Sequence, residues 1–411
     1  MTILMALFTL YIAIKIYVSV MQIGYVTDTK REDAVLLTPA KYVVAGNYAI
    51  KKERLSIVES FIEYMLFLFW VFGGFAWLQK ITGIDNTIYS NLLFIFGFLA
   101  LNFIVSLPLD IYKTFKLDKS FHFSKTTPKL YIIDTIKSAL LTLIFGGVIF
   151  AIIIYFMENY SKWWLYSFVL VFIFIILVNM LYPTLIAPLF NKFKPLEDEE
   201  LKGSIEGILK KVGLSSDGVF TIDASKRDSR LNAYFGGLGK SKRVVLFDTL
   251  IEKLDKDEII AILGHELGHY SHKDIYKNIA TIGVFLFVVF FSVGNLPESL
   301  FLNMGVVPTA GAKLALIMLI LPLFSFIYMP IMGLISRHNE YEADKFGAKI
   351  GGKTNLIRAL LKLVNENKAF PKSHPIYIFF YYTHPPVLER LKALGYEDSK
   401  NDDSVILGFL K

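Results

Sequence analysis

Seven stretches of nearly unbroken apolar sequence decide what this chain can fold into: residues 3–23, 58–78, 91–109, 138–157, 164–185, 275–296 and 314–335. A hydrocarbon layer about 30 Å thick is crossed by roughly 20 helical residues, so each stretch can span a bilayer. Lipid offers the backbone no water to bond, and a helix satisfies its peptide groups within one segment. The first stretch is interrupted only by Lys15 and lacks both a positive start and a small-x-small cleavage site. It is therefore expected to be a span and not a signal peptide. Composition agrees, with 54% of residues hydrophobic and 19% charged. There is no cysteine, which excludes thiol catalysis, disulfides and cysteine-ligated zinc. Any metal must be held by His, Asp or Glu.

Loop charges set an expected orientation. The first loop carries Lys30, Arg31, Lys41, Lys51, Lys52 and Arg54, and the third carries Lys113, Lys116, Lys119, Lys125, Lys129 and Lys137. The second, fourth and sixth loops are nearly bare of bases, with Lys80, Lys162 and Lys313. By the positive-inside rule the N-terminus lies outside and the C-terminus in the cytoplasm. The same loops account for the net charge of +7, so no nucleic-acid partner is expected. Four segments follow: spans one to five in 1–186, a cytoplasmic segment in 187–274, spans six and seven in 275–335, and a second cytoplasmic segment in 336–411. Lys15, Glu63, Asn102 and Asn179 fall within spans, where polar groups are costly unless paired or facing a polar interior. Pro322 and Pro330 are expected to bend the last span.

The segment 187–274 has α/β character. Residues 199–212 show helical periodicity, while 219–223 and 243–248 have the β-branched, apolar make-up of strands, and 231–235, ended by Gly236 and Gly237, is a further candidate strand. Asp255 followed by Glu258 is a capping-box signature that starts a helix near Lys256. That helix carries His265-Glu266-x-x-His269, whose histidines, four apart, lie on one face and can share one ion. Glu266 is then placed to handle the proton of a metal-activated water. A catalytic zinc generally takes three protein ligands, and the topology offers the third. The motif ends just before span six, and span seven returns to the same side directly before Asn339-Glu340-Tyr341-Glu342-Ala343-Asp344. On a helix Glu340 and Asp344 share a face and Glu342 points away, which suggests Glu340 as ligand and Asp344 as its orienting neighbour. His384 and Arg390 are candidates to stabilise a developing oxyanion. His272 could face the site or lie exposed at the helix end, and His122, His338 and His374 have no pattern behind them.

These elements together resemble the type-I CAAX prenyl proteases. The resemblance runs through the seven spans, 121–138, 181–196, Leu231-Asn232-Ala233-Tyr234-Phe235, 244–250, the HExxH helix, 339–347 and 384–391. It implies an α-helical multi-span membrane protein whose seven helices form a hollow chamber, capped by a cytoplasmic α/β zincin-like protease. It implies one Zn2+ per chain on His265, His269 and Glu340, with Glu266 as base, Asp344 behind the ligands, and His384 and Arg390 lining the site. Asn232, Ala233, Tyr234 and Phe235 would form an edge strand that binds an extended peptide. The implied reaction removes the last three residues of a prenylated C-terminus, and the chain is expected to be a monomer. In one departure, His122 stands where members often carry glycine. A prokaryotic source, and so a bacterial inner membrane, is favoured over the ER membrane. This weakens the prenylated-substrate reading, with membrane-protein quality control as the alternative. A transport or scaffold protein with structural zinc is the non-enzymatic alternative; a fourth protein ligand would mark it. A site-2-type intramembrane protease is disfavoured, because charges flank the motif on both sides.

Overall fold

The computed structural model describes residues 1–83, 85, 87–214, 216–237 and 242–397. Among them are seven helices long and apolar enough to cross a membrane: Thr2–Thr29, Pro39–Thr82, Ile88–Ser120, Pro128–Asn159, Trp163–Phe190, Asp274–Gly294 and Ala310–Gly351. Local chemistry sets their starts. Thr87, Thr127 and Thr309 each accept a hydrogen bond from a first-turn backbone N–H, and Pro128 occupies the first turn after Thr127. The seventh helix is 42 residues long, about 63 Å at 1.5 Å per residue. That is twice a hydrocarbon thickness, so its final turns leave the membrane. Pro322 and Pro330 lie inside it without ending it, and it runs unbroken across residues 335 and 336.

The spans enclose a hollow. In their most apolar windows only 6% of the fifth helix and 11% of the fourth is buried, against 39% of the seventh. Helices this open leave most of their apolar side chains outside the protein core. A cavity of about 500 Å³ between spans one, two, three and seven is lined by Glu59, Glu63, Asn102, Asp110 and Lys113 among apolar side chains. Polar groups costly in lipid therefore face the interior. Lys15 pairs with Glu63 at 2.7 Å, and Asn102 accepts from Trp70 Nε1 at 3.3 Å. Among the described residues, Asn179 bonds only to Ile175 O of its own helix.

Both soluble segments and both basic loops gather at one end of the bundle. Leu36 of the first loop is buried in the cap's core, and Lys125 of the third donates its backbone N–H to Arg227 O at 2.9 Å. His122 has φ 61°, a left-handed conformation that favours glycine. At the opposite end Gln79 bonds both backbone groups of Val307, joining the second and sixth loops.

The cap is built on a four-stranded sheet of β1 (Phe193–Pro195), β2 (Val219–Ile222), β3 (Ala233–Gly236) and β4 (Arg243–Phe247), ordered β1-β2-β4-β3. β2 and β4 are parallel and the outer pairs antiparallel, leaving β3 as an edge. The motif helix, Lys256–Ser271, packs against this sheet and the helix Lys353–Glu366 packs on the motif helix, in one core that includes Leu246, Leu263, Leu267, Leu356 and Leu360.

Candidate metal centre

The motif helix begins where the sequence places it. Glu258 N–H donates to Asp255 Oδ1 at 3.0 Å, and Asp255 N–H donates to Glu258 Oε2 at 2.9 Å. Glu258, 1% exposed, is also bonded by Lys362 at 2.7 Å, which ties the helix start to Lys353–Glu366.

Small residues then let two backbones meet. Ala261, Gly264 and Gly268 on the motif helix face Ala343, Gly347 and Gly351 on the seventh helix. A Cβ added at Gly268 would lie 2.8 Å from Ala343 Cα, and one at Gly351 would lie 2.4 Å from Ala261 Cα. This close crossing brings side chains from two distant parts of the sequence to one point. Ligand atoms of His265, His269 and Glu340 all lie within 4.8 Å of one another. His265 Nε2 is 3.5 Å from Glu340 Oε2, and His269 Nε2 is 3.2 Å from Glu340 Oε1.

Both imidazoles thus turn Nε2 inward, and each offers Nδ1 to a carboxylate. Asp344 Oδ1 lies 2.9 Å from His265 Nδ1. Arg390 grips Asp344 through two hydrogen bonds of 2.6 and 2.8 Å, and its Nη1 lies 3.4 Å from Glu340 Oε2. Arg390 is 8% exposed; it stands behind the carboxylates and not in the open cleft. Glu340 Oε2 is buried and has no hydrogen-bond partner among the described residues. A buried carboxylate whose two oxygens face two imidazole nitrogens is what a divalent cation would satisfy, so the donor set fits zinc.

Glu266 projects from the same helix into a cavity of about 220 Å³, shared with Phe235, His269, Tyr270, Asn278, Ser336 and Glu340. Burial raises its carboxyl above the usual carboxylate range, which suits a base working near neutrality. His384 Nε2 reaches Glu340 Oε1 at 3.3 Å with its side chain 63% exposed, at the open side of the cluster. Glu342 points away and bonds Lys345 at 2.7 Å.

The edge strand runs beside this cleft. Phe247 N–H donates to Asn232 O at 3.2 Å, so residues 232 and 247 form a hydrogen-bonded pair. Antiparallel alternation then turns the backbone of Tyr234 towards β4, and the backbones of Ala233 and Phe235 towards the free edge. The Asn232 side chain accepts from Ala233 N–H at 2.9 Å, which leaves Phe235 N–H as the free donor of this edge among the described residues.

Two features escape sequence reasoning. Asp274, read from sequence only as a charge marking the end of the motif, lies 3.0 Å from His269 Nδ1. The short helix Pro375–Tyr381, which leads into His384, packs against spans one and seven. Phe380 stacks on Phe326 at 4.7 Å, and Tyr377 donates to Glu53 at 2.6 Å. His374 caps this helix, accepting from Ile376 N–H, and His272 abuts Phe346 away from the ligands.

Comparison with known proteins bears on this arrangement. A family model described as peptidase family M48 matches residues 195–398. A second, described as CAAX prenyl protease N-terminal, five membrane helices, matches residues 30–192. CAAX prenyl protease 1 of Saccharomyces cerevisiae is 37% identical over 340 residues, covering 77% of this chain and 74% of the relative. The CAAX prenyl protease 1 homolog of Arabidopsis thaliana is 32% identical over 386 residues, covering 89% and 90%. The crystal structure of S. mikatae Ste24p matches with a TM-score of 0.86 at 32% identity, covering 96% of this chain and 98% of that one. These relatives are eukaryotic and lend no support to the expected bacterial membrane.

Proposed function

The chain belongs to peptidase family M48 and carries the membrane domain of the CAAX prenyl proteases, and from that premise we propose how its residues divide the work of peptide hydrolysis. It is an integral-membrane metalloendopeptidase. His265, His269 and Glu340 hold one zinc ion per chain, supported by their convergence within 4.8 Å. Zinc held there supplies Lewis acidity, which acidifies water and polarises a carbonyl. Glu266 takes the water's proton and afterwards delivers it to the leaving amine. His384 donates a hydrogen bond to the carbonyl oxygen as it gains charge. Arg390 acts from behind, fixing Asp344 and Glu340. The Ala233 carbonyl and both backbone groups of Phe235 straighten the substrate by pairing with it as an added strand, with Asn232 and Tyr234 holding the edge in register.

The basic first and third loops support a cytoplasmic cap with the N-terminus outside. Functionally, 1–186 and 275–335 form the chamber, and 187–274 and 336–411 form the cap; residues 398–411 lie outside the described residues. All three ligand donors come from one chain, so a monomer carries the complete ligand set. The substrate is a protein C-terminus, prenylated as the relatives' names indicate.

The observation that carries this reading is the convergent His-His-Glu cluster beside a free strand edge. It is tested with one peptide in prenylated and unprenylated forms, incubated with purified chain with and without a chelator. Chelator-sensitive cleavage, faster for the prenylated form, is expected. Equal chelator-sensitive cleavage of both forms would remove the prenyl requirement and leave a quality-control protease. Cleavage indifferent to chelator would overturn the metalloprotease assignment.

A further inference from the structure

The centre has a second orienting carboxylate that its sequence motifs do not announce. The motif helix ends at Ser271, and Lys273 adopts a left-handed conformation with φ 58° and ψ 31°. For a lysine this backbone is sparsely populated and costs about 1 kcal/mol or more. It turns the chain sharply, so that Asp274, the first residue of span six, comes back beneath His269. On an uninterrupted helix, residues 269 and 274 would lie about 140° apart and could not meet in this way.

Asp274 is 3% exposed. Its Oδ2 lies 3.0 Å from His269 Nδ1, and its Oδ1 accepts from Lys277 Nζ at 2.7 Å. Lys277 also reaches Asn339 Oδ1, at 3.4 Å, on the residue before Glu340. A carboxylate at a helix start is favoured by the helix dipole, and an i,i+3 lysine is common on a helix surface. Neither effect requires burial, nor a strained residue immediately before it. An imidazole that binds a cation through Nε2 must carry its proton on Nδ1, and a buried carboxylate there fixes both tautomer and ring direction.

We infer that Asp274 is a positioning residue for the metal centre, holding His269 as Asp344 holds His265, with Lys277 and Asn339 fixing Asp274 in turn. Each orienting carboxylate has its own cation, Arg390 for Asp344 and Lys277 for Asp274. Because Asp274 opens span six and Asn339 sits on the seventh helix, the clamp also joins the two spans directly beneath the cluster. The inference rests on His265, His269 and Glu340 being the metal ligands.

The test uses the full chain in detergent. Zinc affinity is measured by competition with a chromophoric chelator, and ligand geometry by the absorption spectrum of the cobalt-substituted protein. D274A is expected to bind zinc about 10- to 100-fold more weakly and to alter the cobalt spectrum. D274N, which keeps the shape and an accepting oxygen but not the charge, should fall between D274A and the wild type. D257N, altering an exposed carboxylate at the far end of the motif helix, should match the wild type in both readings. Wild-type affinity and spectrum in D274A would overturn the inference. So would the same result in D274N if D274A does not fold. Should the wild type and H265A bind zinc equally weakly, the ligand assignment itself fails, a distinct outcome.

Discussion

The helix crossing that builds the centre has almost no slack, and Gly268→Ala exposes this directly. The added Cβ would sit 2.8 Å from Ala343 Cα, an atom of a backbone that cannot rotate away. Ordinary carbon–carbon contact is about 3.5–4.0 Å, so the two helices must separate by roughly 1 Å. His265 and His269 ride on one helix and Glu340 on the other, so the shift falls between ligands. Metal–ligand distances tolerate only about 0.2 Å. Overpacking of this kind costs about 1–3 kcal/mol, and at about 1.4 kcal/mol per factor of ten this weakens zinc binding roughly 5- to 140-fold. The assay is chelator competition on purified protein, with peptide cleavage measured at saturating zinc. Gly203→Ala and Gly207→Ala are the controls: an added Cβ at either meets nothing within 4 Å. Both should bind zinc normally and gain up to about 1 kcal/mol from better helix propensity. If G268A binds zinc as tightly as these controls, the crossing does not set the ligand geometry and the reasoning fails.

Two further outcomes follow from the ligand register and the strand edge. E340A should purify without stoichiometric zinc while E342A keeps it, because Glu342 is engaged with Lys345 on the opposite face; metal analysis of both variants settles which carboxylate binds. F235P removes a free backbone donor without disturbing the β3–β4 ladder. Its kcat/KM should fall about tenfold below that of F235A with zinc content unchanged, the worth of one substrate hydrogen bond. Equal values for the two variants would remove the added-strand mode of binding.

Much of this was legible in the chain because membrane crossing and helix periodicity leave strong local signals. Span lengths follow from the length of each apolar run, and the capping box at Asp255 and the shared face of Glu340 and Asp344 follow from spacing along one helix. The hidden parts depend on contacts between segments. Asp274 reaches His269 only through a left-handed turn at Lys273, and helical spacing assigns it no partner. Pro375–Tyr381 is seven residues long, far below the length of a span, so its insertion against spans one and seven leaves no periodic trace. The continuity of Ala310–Gly351 was obscured by the change from apolar to charged sequence near residue 336, where one helix passes from lipid into the cap. Arg390 reads as a site residue from sequence, but only its burial shows that it braces the carboxylates from behind.

The most direct test of the centre is to measure zinc content and peptide cleavage together in E266Q and H265A. E266Q keeps the size and hydrogen-bonding capacity of the side chain but cannot take a proton. It should retain one zinc per chain and lose about 100-fold or more of the cleavage rate, while H265A loses both. An E266Q protein that cleaves at close to the wild-type rate would contradict Glu266 as the base.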